Sequence, residues 1–542
     1  MHLPLNLDIR MANTYVYALS ALVACVAIAE MRKRWNSSRL PLPPSPPSEP
    51  IIGNIRVMPT EFQWKIFADW GKKLGDVVYL SIIGKPLIIL NSAEAARDLL
   101  DKRASNFSDR PRFVLHGELF GTEMLMPFIT YGERFRAQRR LMQQHFNSQA
   151  ISSFRPLQSA QLSIYLKNLL MSPENFTNHT YRFTAGTLVM ATYGHEVNSE
   201  DDIIARLAVD SAIRFIEGGT PGATLVDFIP ILRYIPTWFP GASFRRKAVD
   251  TYKAHVDARD IPYNEVKERM SSGTAIPSLM SRMIDTYETK YPGDKDFEVN
   301  IKHVAGVIYG AGVETSEIVL RTFLLMMTCH PEVVARAHAE IDEVIGSSRL
   351  PTHDDRPNLP YIECILKEVY RTNPPLPLGL AHQSIAEDVH RQRRIPAGSM
   401  LIPNIWKMMR DERHFPDPES FKPERFLSKV KDALEMQHGA GKVAVGLNST
   451  SIDDPSSLVF GFGRRACPGR YFADSSAWLA MANILAAFDI RPPIDPATGE
   501  EQVPIVEFTP GFASKPREFK FDLRPRNAKY VALINENAAA MH

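Results

Sequence analysis

Cysteine is scarce in this chain of 542 residues, and its charges nearly cancel, at a formal net charge of +2. This balance argues against a nucleic-acid partner, because such partners need a concentrated basic surface. Neither zinc-ligand spacing nor a disulfide framework is indicated by the four cysteines, Cys25, Cys329, Cys364 and Cys467. Beyond about residue 56 the chain also lacks a glycine- and serine-rich linker, a low-complexity tract and a repeat, so one large domain fits it best.

The periodicity of apolar residues predicts a mostly α-helical domain with a small β region. Hydrophobic residues make up 44% of the chain, which is ample for a core. Two short β-like runs, at 77–80 and 86–90, predict a small sheet near the N-terminal end. Helical periodicity is plain in five segments: 132–146, 301–328, 331–345, 355–372 and 470–488.

The N-terminus predicts a membrane anchor over residues 1–31. Residues 11–29 carry no charge, and as a helix they would span roughly 28 Å, close to the thickness of the bilayer hydrocarbon. The basic cluster 32–34 follows, which places the large C-terminal part in the cytosol. A cleaved signal peptide is the alternative, but its basic region would precede the apolar run. A stiff basic and proline-rich linker, 32–55, and a catalytic domain, 56–542, complete the predicted organisation.

Segment 460–470, FGFGRRACPGR, frames Cys467 with glycines, arginines and an aromatic residue before an apolar helical stretch. Such a loop suits a thiolate ligand of haem iron, and that ligand favours cleavage of the O–O bond. Gly463 and Gly469 allow a tight turn whose N–H groups face the sulfur. Arg465 is placed to pair with a haem propionate. A buried cysteine in a glycine-rich turn is the alternative.

This segment matches the cytochrome P450 signature F-x-x-G-x-R-x-C-x-G at every fixed position, from Phe460 onward. Together with segments 221–241 and 374–382, this signature makes the chain resemble the microsomal fungal members of the family that act in secondary metabolism. The chain is similar in particular to sterigmatocystin-type oxidoreductases. The resemblance implies a cytochrome P450 fold and haem b with Cys467 as axial ligand. It also implies electrons from an NADPH-dependent cytochrome P450 reductase and a single-pass protein of the endoplasmic reticulum membrane with its catalytic domain in the cytosol.

Segment 310–316, GAGVETS, places small residues before an acid–hydroxyl pair in one predicted helix. A threonine hydroxyl can hydrogen-bond the carbonyl four residues back, which loosens the helix locally. The segment resembles the oxygen-activating motif [AG]-G-x-[DE]-T, in which Ala311 would lie over the haem. By this resemblance Thr315 and Glu314 are the catalytic residues that deliver protons. Small-residue helix packing is the alternative, but it leaves Glu314 beside Thr315 unexplained.

Two further resemblances concern charged residues. Glu368 and Arg371 lie on one helix face, and the P-E-R-F segment adds Arg425. By resemblance these three form a buried structural triad beneath the haem. Segment 131–140 resembles the family's W-x-x-x-R helix, in which Arg139 would pair with a propionate. Phe135 replaces the tryptophan and lacks its N–H donor, and His382 is a candidate for the compensating contact.

The segments that would line a substrate pocket are mainly Leu, Met, Phe, Ile and Val, which predicts an apolar substrate. Our hypothesis is a membrane-anchored monooxygenase that hydroxylates a secondary-metabolite intermediate, with a terpenoid favoured and a polyketide or aromatic possible. A haem-thiolate isomerase or dehydratase and a non-catalytic haem-binding membrane protein are the alternatives. The acid–hydroxyl pair argues against the isomerase. Exposed arginines near the cysteine loop would face an acidic reductase.

Overall fold

The computed structural model describes residues 40–197, 202–440 and 451–540, together with Tyr17. The predicted anchor, apart from Tyr17, and the basic cluster that follows it lie outside the described residues. Within the described part, no single helix has both the length and the apolar character needed to cross a membrane. Two consecutive helices meet the length and composition criteria only when they are taken together, Lys295–Cys329 and Pro331–Val344. They are bent by 104° relative to each other.

Helices dominate the described residues, as the periodicity predicts. Their bounds are α1 Gln63–Leu74, α2 Ala93–Ala96, α3 Ala104–Phe107, α4 Glu133–Phe146, α5 Arg155–Met171, α6 Phe176–Tyr193, α7 Ile203–Glu217, α8 Leu225–Phe228, α9 Ser243–Ser271, α10 Leu279–Lys290, α11 Lys295–Cys329, α12 Pro331–Val344, α13 Pro360–Thr372, α14 Ile405–Met408, α15 Leu427–Ala440, α16 Ser456–Val459, α17 Arg470–Ala487 and α18 Ala528–Ala539.

Short 3₁₀ and π segments connect the helices, and the strands form small sheets. The 3₁₀ segments are Ile55–Val57, Ala150–Phe154, Pro173–Asn175, Pro230–Tyr234, His353–Asn358, Pro423–Phe426 and Gly463–Arg465, and the π segments are Arg97–Lys102 and Val114–Leu119. The strands are β1 Val77–Ile82, β2 Lys85–Leu90, β3 His382–Gln383, β4 Asp388–His390, β5 Arg393–Ile395, β6 Met400–Pro403, β7 Phe488–Arg491 and β8 Asp522–Pro525.

One predicted helix starts later than its periodicity indicates. The first predicted residues belong to the 3₁₀ segment His353–Asn358, and α13 begins at Pro360. Proline suits the first helical position, but its ring pushes the preceding residue out of the α region. Leu359 accordingly has φ −119° and ψ 62°. Three of the other four long helices are confirmed to within one residue at each end, and the fourth, predicted from residue 301, is confirmed as α11 but begins earlier, at Lys295.

The predicted small sheet is confirmed and has four strands in the order β1-β2-β6-β3. Strands β1 and β2 are antiparallel, with Tyr79 opposite Ile88, whereas β2 and β6 are parallel. The described part of the proline-rich linker lies against this sheet, because Tyr79 N–H donates to the Pro44 carbonyl at 2.8 Å. Pro43 and Pro46 are buried there. From residue 41 onward the linker therefore contacts the folded body.

Helix α11 is the central element of the fold. Its 35 residues extend for roughly 52 Å at the usual helical rise. The Asp294 side chain accepts a hydrogen bond from Phe297 N–H at 3.1 Å and so caps its first turn. From Glu317 to Thr328 each of its residues is buried, against a core that includes α5, α6, α13 and α17. Its middle turns are less covered, and they face the candidate site.

Candidate functional site

Cys467 lies in a tight loop immediately before α17. Its N–H donates to the Phe460 carbonyl at 2.8 Å, which closes the loop, and the residue as a whole is partly buried. Burial raises the pKa of the Cys467 thiol, whereas the Gly469 N–H, the Arg139 charge and the charge and N–H of Arg470 act in the opposite direction. The loop therefore already carries the groups that would stabilise a thiolate.

Gly463 fixes the position of this loop against the neighbouring π segment. Its φ of 54° is left-handed, and a Cβ there would lie 2.2 Å from the Leu100 carbonyl oxygen. Its N–H also donates to the Asp101 carboxylate. Only glycine combines this backbone conformation with so close an approach.

The acid–hydroxyl pair of α11 faces a cavity of about 240 Å³. The Thr315 hydroxyl donates to the Ala311 carbonyl at 2.9 Å, as the sequence suggests for a threonine in this position. Ala311, Glu314 and Thr315 all line the cavity. Gly306 and Gly310 lie on the same helix face, and a Cβ at either would meet open space. This face of α11 therefore leaves room for a bound group.

Lys515 is a residue of this site that the sequence analysis did not identify. Its Nζ lies 2.5 Å from Glu314 Oε1 and forms an ion pair with it. Burial raises the pKa of Glu317, one turn further along α11, while Lys515 and Arg321 lower it. Arg321 in turn reaches the exposed Glu518, with 2.9 Å between Nη2 and Oε1. A line of charged groups thus connects the cavity with the surface.

A second cluster, here called the cation cluster, consists of Arg110, Arg139, His382 and Arg465. Arg110 and Arg465 are almost fully buried, and each repels the other's charge. Burial lowers the pKa of Arg465 to about 10, which Asp109 partly offsets. Arg465 donates to the carbonyls of Ser108, Met126 and Ile129, and Arg110 donates to those of Pro127, Leu380 and Ala381.

Phe135 has a defined contact in this cluster. Its buried ring lies beneath the Arg465 guanidinium, 3.9 Å from ring centroid to Cζ, in cation–π geometry. Arg139 Nη1 donates to the Ala466 carbonyl at 2.5 Å and so contacts the cysteine loop directly. The phenylalanine therefore orients one arginine, although it offers no hydrogen bond of its own.

His382 is buried and its Nδ1 lies 2.8 Å from the Phe107 carbonyl oxygen. Because a carbonyl only accepts, Nδ1 carries the proton and Nε2 of the neutral ring is an acceptor. Burial, with Arg110 and Arg465 nearby, holds the His382 pKa well below its usual range. His382 therefore offers no N–H donor to an anion. Arg110, which the sequence analysis missed, has guanidinium donors close to His382, because it donates to the Leu380 carbonyl.

Glu368, Arg371 and Arg425 come together as one buried network. Arg371 donates from Nε and Nη2 to the two Glu368 oxygens, both at 2.8 Å. Arg425 Nε lies 3.1 and 3.2 Å from the same oxygens, and the Lys422 N–H donates at 2.7 Å. The Glu368 side chain is fully buried, so its charge depends entirely on these donors.

The described residues fit a haem group. The loop of Cys467 offers a sulfur with anion-stabilising neighbours, the cation cluster offers buried positive charge suited to two carboxylates, and α11 offers space over a flat ligand. Together these features define a haem-thiolate protein. A family model described as cytochrome P450 matches residues 43–523, and the chain belongs to this family as a monooxygenase enzyme.

The chain is also similar to curated fungal proteins along most of its length. Cytochrome P450 monooxygenase 176 of Postia placenta is 39% identical over 92% of this chain and 93% of that protein. Cytochrome P450 monooxygenase 136 of the same fungus is 38% identical over 98% of both chains. Cytochrome P450 monooxygenase claR of Ampulloclitocybe clavipes is 38% identical over 91% of this chain and 88% of its own.

The substitution Glu368→Ala should prevent haem incorporation. It leaves the buried Arg371 guanidinium without its carboxylate, which costs about 3–5 kcal/mol. The measurement is the absorbance of the reduced carbon monoxide complex per unit of protein, where we expect most of the signal to be lost. Glu332→Ala is the matched control, because Glu332 is 69% exposed and pairs with His330. Wild-type haem content in Glu368→Ala would contradict the structural role.

Proposed function

We propose that this protein hydroxylates an apolar intermediate of fungal secondary metabolism, using dioxygen and electrons from an NADPH-dependent cytochrome P450 reductase. The observation that carries the proposal is the Cys467 loop, with its anion-stabilising neighbours, in a chain whose Glu314 and Thr315 line an apolar cavity. Haem held through a cysteine thiolate supplies oxygen activation and carbon oxidation. The chain's own residues bind the haem, hold the substrate and move protons.

In this proposal the Cys467 thiolate would hold the haem iron. Gly463 and Gly469 shape the loop, and the Phe460 carbonyl holds the Cys467 N–H. The cation cluster would bind the propionates through Arg465 and Arg139, as the sequence predicts, and through Arg110 as well. His382 is held next to this cluster by its hydrogen bond to the Phe107 carbonyl. It would donate a hydrogen bond to a propionate only if its ring became protonated.

Thr315 and Glu314 deliver protons in the proposed reaction. The Thr315 hydroxyl donates to Ala311, so its oxygen is free to accept a hydrogen bond from water in the cavity. The Glu314 carboxylate is the next proton-carrying group, and Lys515 holds it in position. Glu314 thus lies between Thr315, its neighbour in the chain, and the charged groups that lead to the surface through Lys515.

The cavity favours a compact, mainly apolar substrate. Its volume of about 240 Å³ is just below the roughly 300–1,000 Å³ that is usual for ligand pockets. Its lining includes Leu125, Phe128, Val307, Leu376 and Phe512. A terpenoid skeleton suits this space best, and a small polyketide or aromatic remains the second choice.

A basic surface supports the proposed encounter with a reductase. Arg136, Arg140 and Arg464 are exposed. Arg464 belongs to the cysteine loop, and Arg136 lies over the same Tyr131 ring as Arg464. Positive charge on this side would steer an acidic partner toward the place where electrons must enter.

Product analysis with labelled dioxygen tests the proposed function. Microsomes that contain this protein and a reductase are offered terpene and polyketide scaffolds, and we expect one labelled oxygen atom in an alcohol product. Cys467→Ala should abolish both this product and the thiolate spectrum of the reduced carbon monoxide complex. Unlabelled products would favour the isomerase or dehydratase, and a retained thiolate spectrum in Cys467→Ala would overturn the ligand assignment.

The substitution Thr315→Ala should uncouple electron use from product formation. We expect haem content to remain normal while hydroxylated product per NADPH falls by about tenfold or more, with hydrogen peroxide released instead. Thr328→Ala is the matched control, because the Thr328 hydroxyl makes the same bond to the Leu324 carbonyl, at 2.8 Å, in a buried part of α11. Equal coupling in the two variants would contradict the role of Thr315.

We also propose that the protein is held at the endoplasmic reticulum membrane, with the catalytic domain in the cytosol. The predicted anchor at 1–31 is one part of this proposal. A surface patch supports it, formed by Ile231, Tyr234, Trp238 and Phe239, whose exposures are 69%, 65%, 78% and 46%. Apolar side chains collected on one loop suit insertion among lipid head groups.

A version that lacks residues 1–34 should still bind phosphatidylcholine vesicles through this patch. Adding Ile231→Asp should weaken the vesicle binding at least about tenfold, because an apolar side chain that enters the bilayer contributes roughly 1.5–3 kcal/mol. Ile505→Asp is the matched control, since Ile505 is 81% exposed outside the patch. Sedimentation with vesicles measures the bound fraction, and equal weakening by both substitutions would count against the patch.

A further inference from the structure

The cavity extends along α11 and has polar groups in two separate places. His303, which lines one end, is 12 residues from Thr315, a separation of roughly 18 Å along the helix. Glu314 and Thr315 form the first polar place, on α11 itself. The second lies on the wall formed by α7 and α9, where Ser211 and His255 line the same cavity.

Ser211 and His255 hydrogen-bond each other through the serine hydroxyl and the ring Nδ1. The other ring nitrogen, Nε2, is buried and has no hydrogen-bond partner. Burial lowers the pKa of His255 to about 4, and the nearby His116 adds to this effect. The imidazole is therefore neutral at physiological pH, so one nitrogen donates and the other accepts.

The other polar side chains that line this part of the cavity have partners, whereas the nearby His116, which is not part of the lining, has none for its two ring nitrogens among the described residues. The Tyr309 hydroxyl donates to the Ile204 and Ala205 carbonyls, at 2.9 and 2.7 Å. Arg259 pairs with Asp260 at 2.7 Å. His303 bonds the Val299 carbonyl through Nδ1 at 2.7 Å and lies 3.3 Å from Arg259 through Nε2. His255 thus retains a hydrogen-bonding atom for which the described protein offers no partner.

A buried polar atom without a hydrogen-bond partner lowers the stability of the protein when the surrounding wall is mainly apolar. A ligand that forms a hydrogen bond with this atom therefore binds more tightly. A neutral donor–acceptor pair matches a neutral oxygen group. It does not match an anion, because neither Ser211 nor His255 carries positive charge, and Arg259, whose guanidinium lines the same cavity, is paired with Asp260. A hydrocarbon without any oxygen would leave the pair unsatisfied.

We propose that Ser211 and His255 recognise a hydroxyl or carbonyl group that the substrate already carries. The inference rests on the proposed function and deepens it by naming the substrate class: an apolar skeleton with one neutral oxygen group. In the reaction sequence, a step that introduces oxygen, either an earlier oxidation or a cyclisation that ends with the addition of water, must precede this enzyme. The pair orients the skeleton, and the carbon that is oxidised lies near Thr315.

The test uses probes that do not require the natural substrate. In the haem-loaded full-length protein, 1-alkylimidazoles anchor at the iron through the imidazole, and their binding shifts the haem absorbance. Chains from butyl to dodecyl are compared with the same chains that end in a hydroxyl. Where the chain length matches the distance to His255, the hydroxyl-ended probe should bind about five- to tenfold more tightly than its methyl-ended partner. Shorter hydroxyl-ended probes should bind more weakly than their partners.

Two variants assign this preference to the pair. His255→Phe keeps a ring of similar shape but removes both nitrogens, and Ser211→Ala removes the hydroxyl with minimal change in volume. Each should abolish the preference for hydroxyl-ended probes and leave the affinity for methyl-ended probes within about twofold. His303→Phe is the matched control, because His303 lines the same cavity with its Nδ1 satisfied by Val299, and it should retain the preference.

The outcomes separate this inference from the proposed function. The inference is overturned if hydroxyl-ended probes bind no better at any length, or if the preference persists in both His255→Phe and Ser211→Ala. The proposed function itself fails if the protein shows no thiolate spectrum and no absorbance shift with any alkylimidazole, and the inference then fails with it. A preserved spectrum and tight binding of the methyl-ended probes, without a hydroxyl preference, would remove only the inference.

Discussion

The fully buried carboxylate of Glu368 is the constraint on which the candidate site depends. A charge without access to water is stable only when donors surround it, and here Arg371, Arg425 and the Lys422 N–H supply them. The same guanidinium groups also bind carbonyls of the loop that precedes α15, so the network joins α13 to that loop. Helix α13 then supports the cysteine loop, because the Tyr370 ring meets the Phe460 ring edge-on at 5.5 Å.

The cation cluster places a different demand on the fold. Arg110 and Arg465 are buried close enough to repel each other, and their hydrogen bonds go to carbonyl groups rather than to carboxylates. Neutral acceptors satisfy the donors but do not neutralise the charge. Such an arrangement lowers the stability of the empty protein and raises its affinity for a dianionic group. The same uncompensated positive charge that lowers the stability of the fold would therefore attract the haem propionates.

Local patterns predicted most of the fold and the centre of the site. The Cys467 loop, the pair Glu314 and Thr315, and four of the five long helices each depend on residues close together in sequence. Lys515, Arg110 and His255 were missed for a common physical reason. Each acquires its role from packing between distant segments, as when Lys515 meets Glu314 across 200 intervening residues. The late start of α13 had a local signal in Pro360, which outweighed the apolar periodicity before it.

In the proposed recognition, selectivity would follow from the contrast between the mainly apolar wall of this cavity and the neutral pair of Ser211 and His255. A purely apolar pocket discriminates weakly between skeletons that differ by a methylene or a hydroxyl group. A pocket with a buried hydrogen-bonding group rejects analogues that lack the matching oxygen, because binding them leaves that group unsatisfied. Ser211 and His255 come from α7 and α9, whereas the proton-carrying residues come from α11. If both proposals hold, substitutions on the first two helices should alter which molecule is accepted without disturbing the proton delivery proposed for the third.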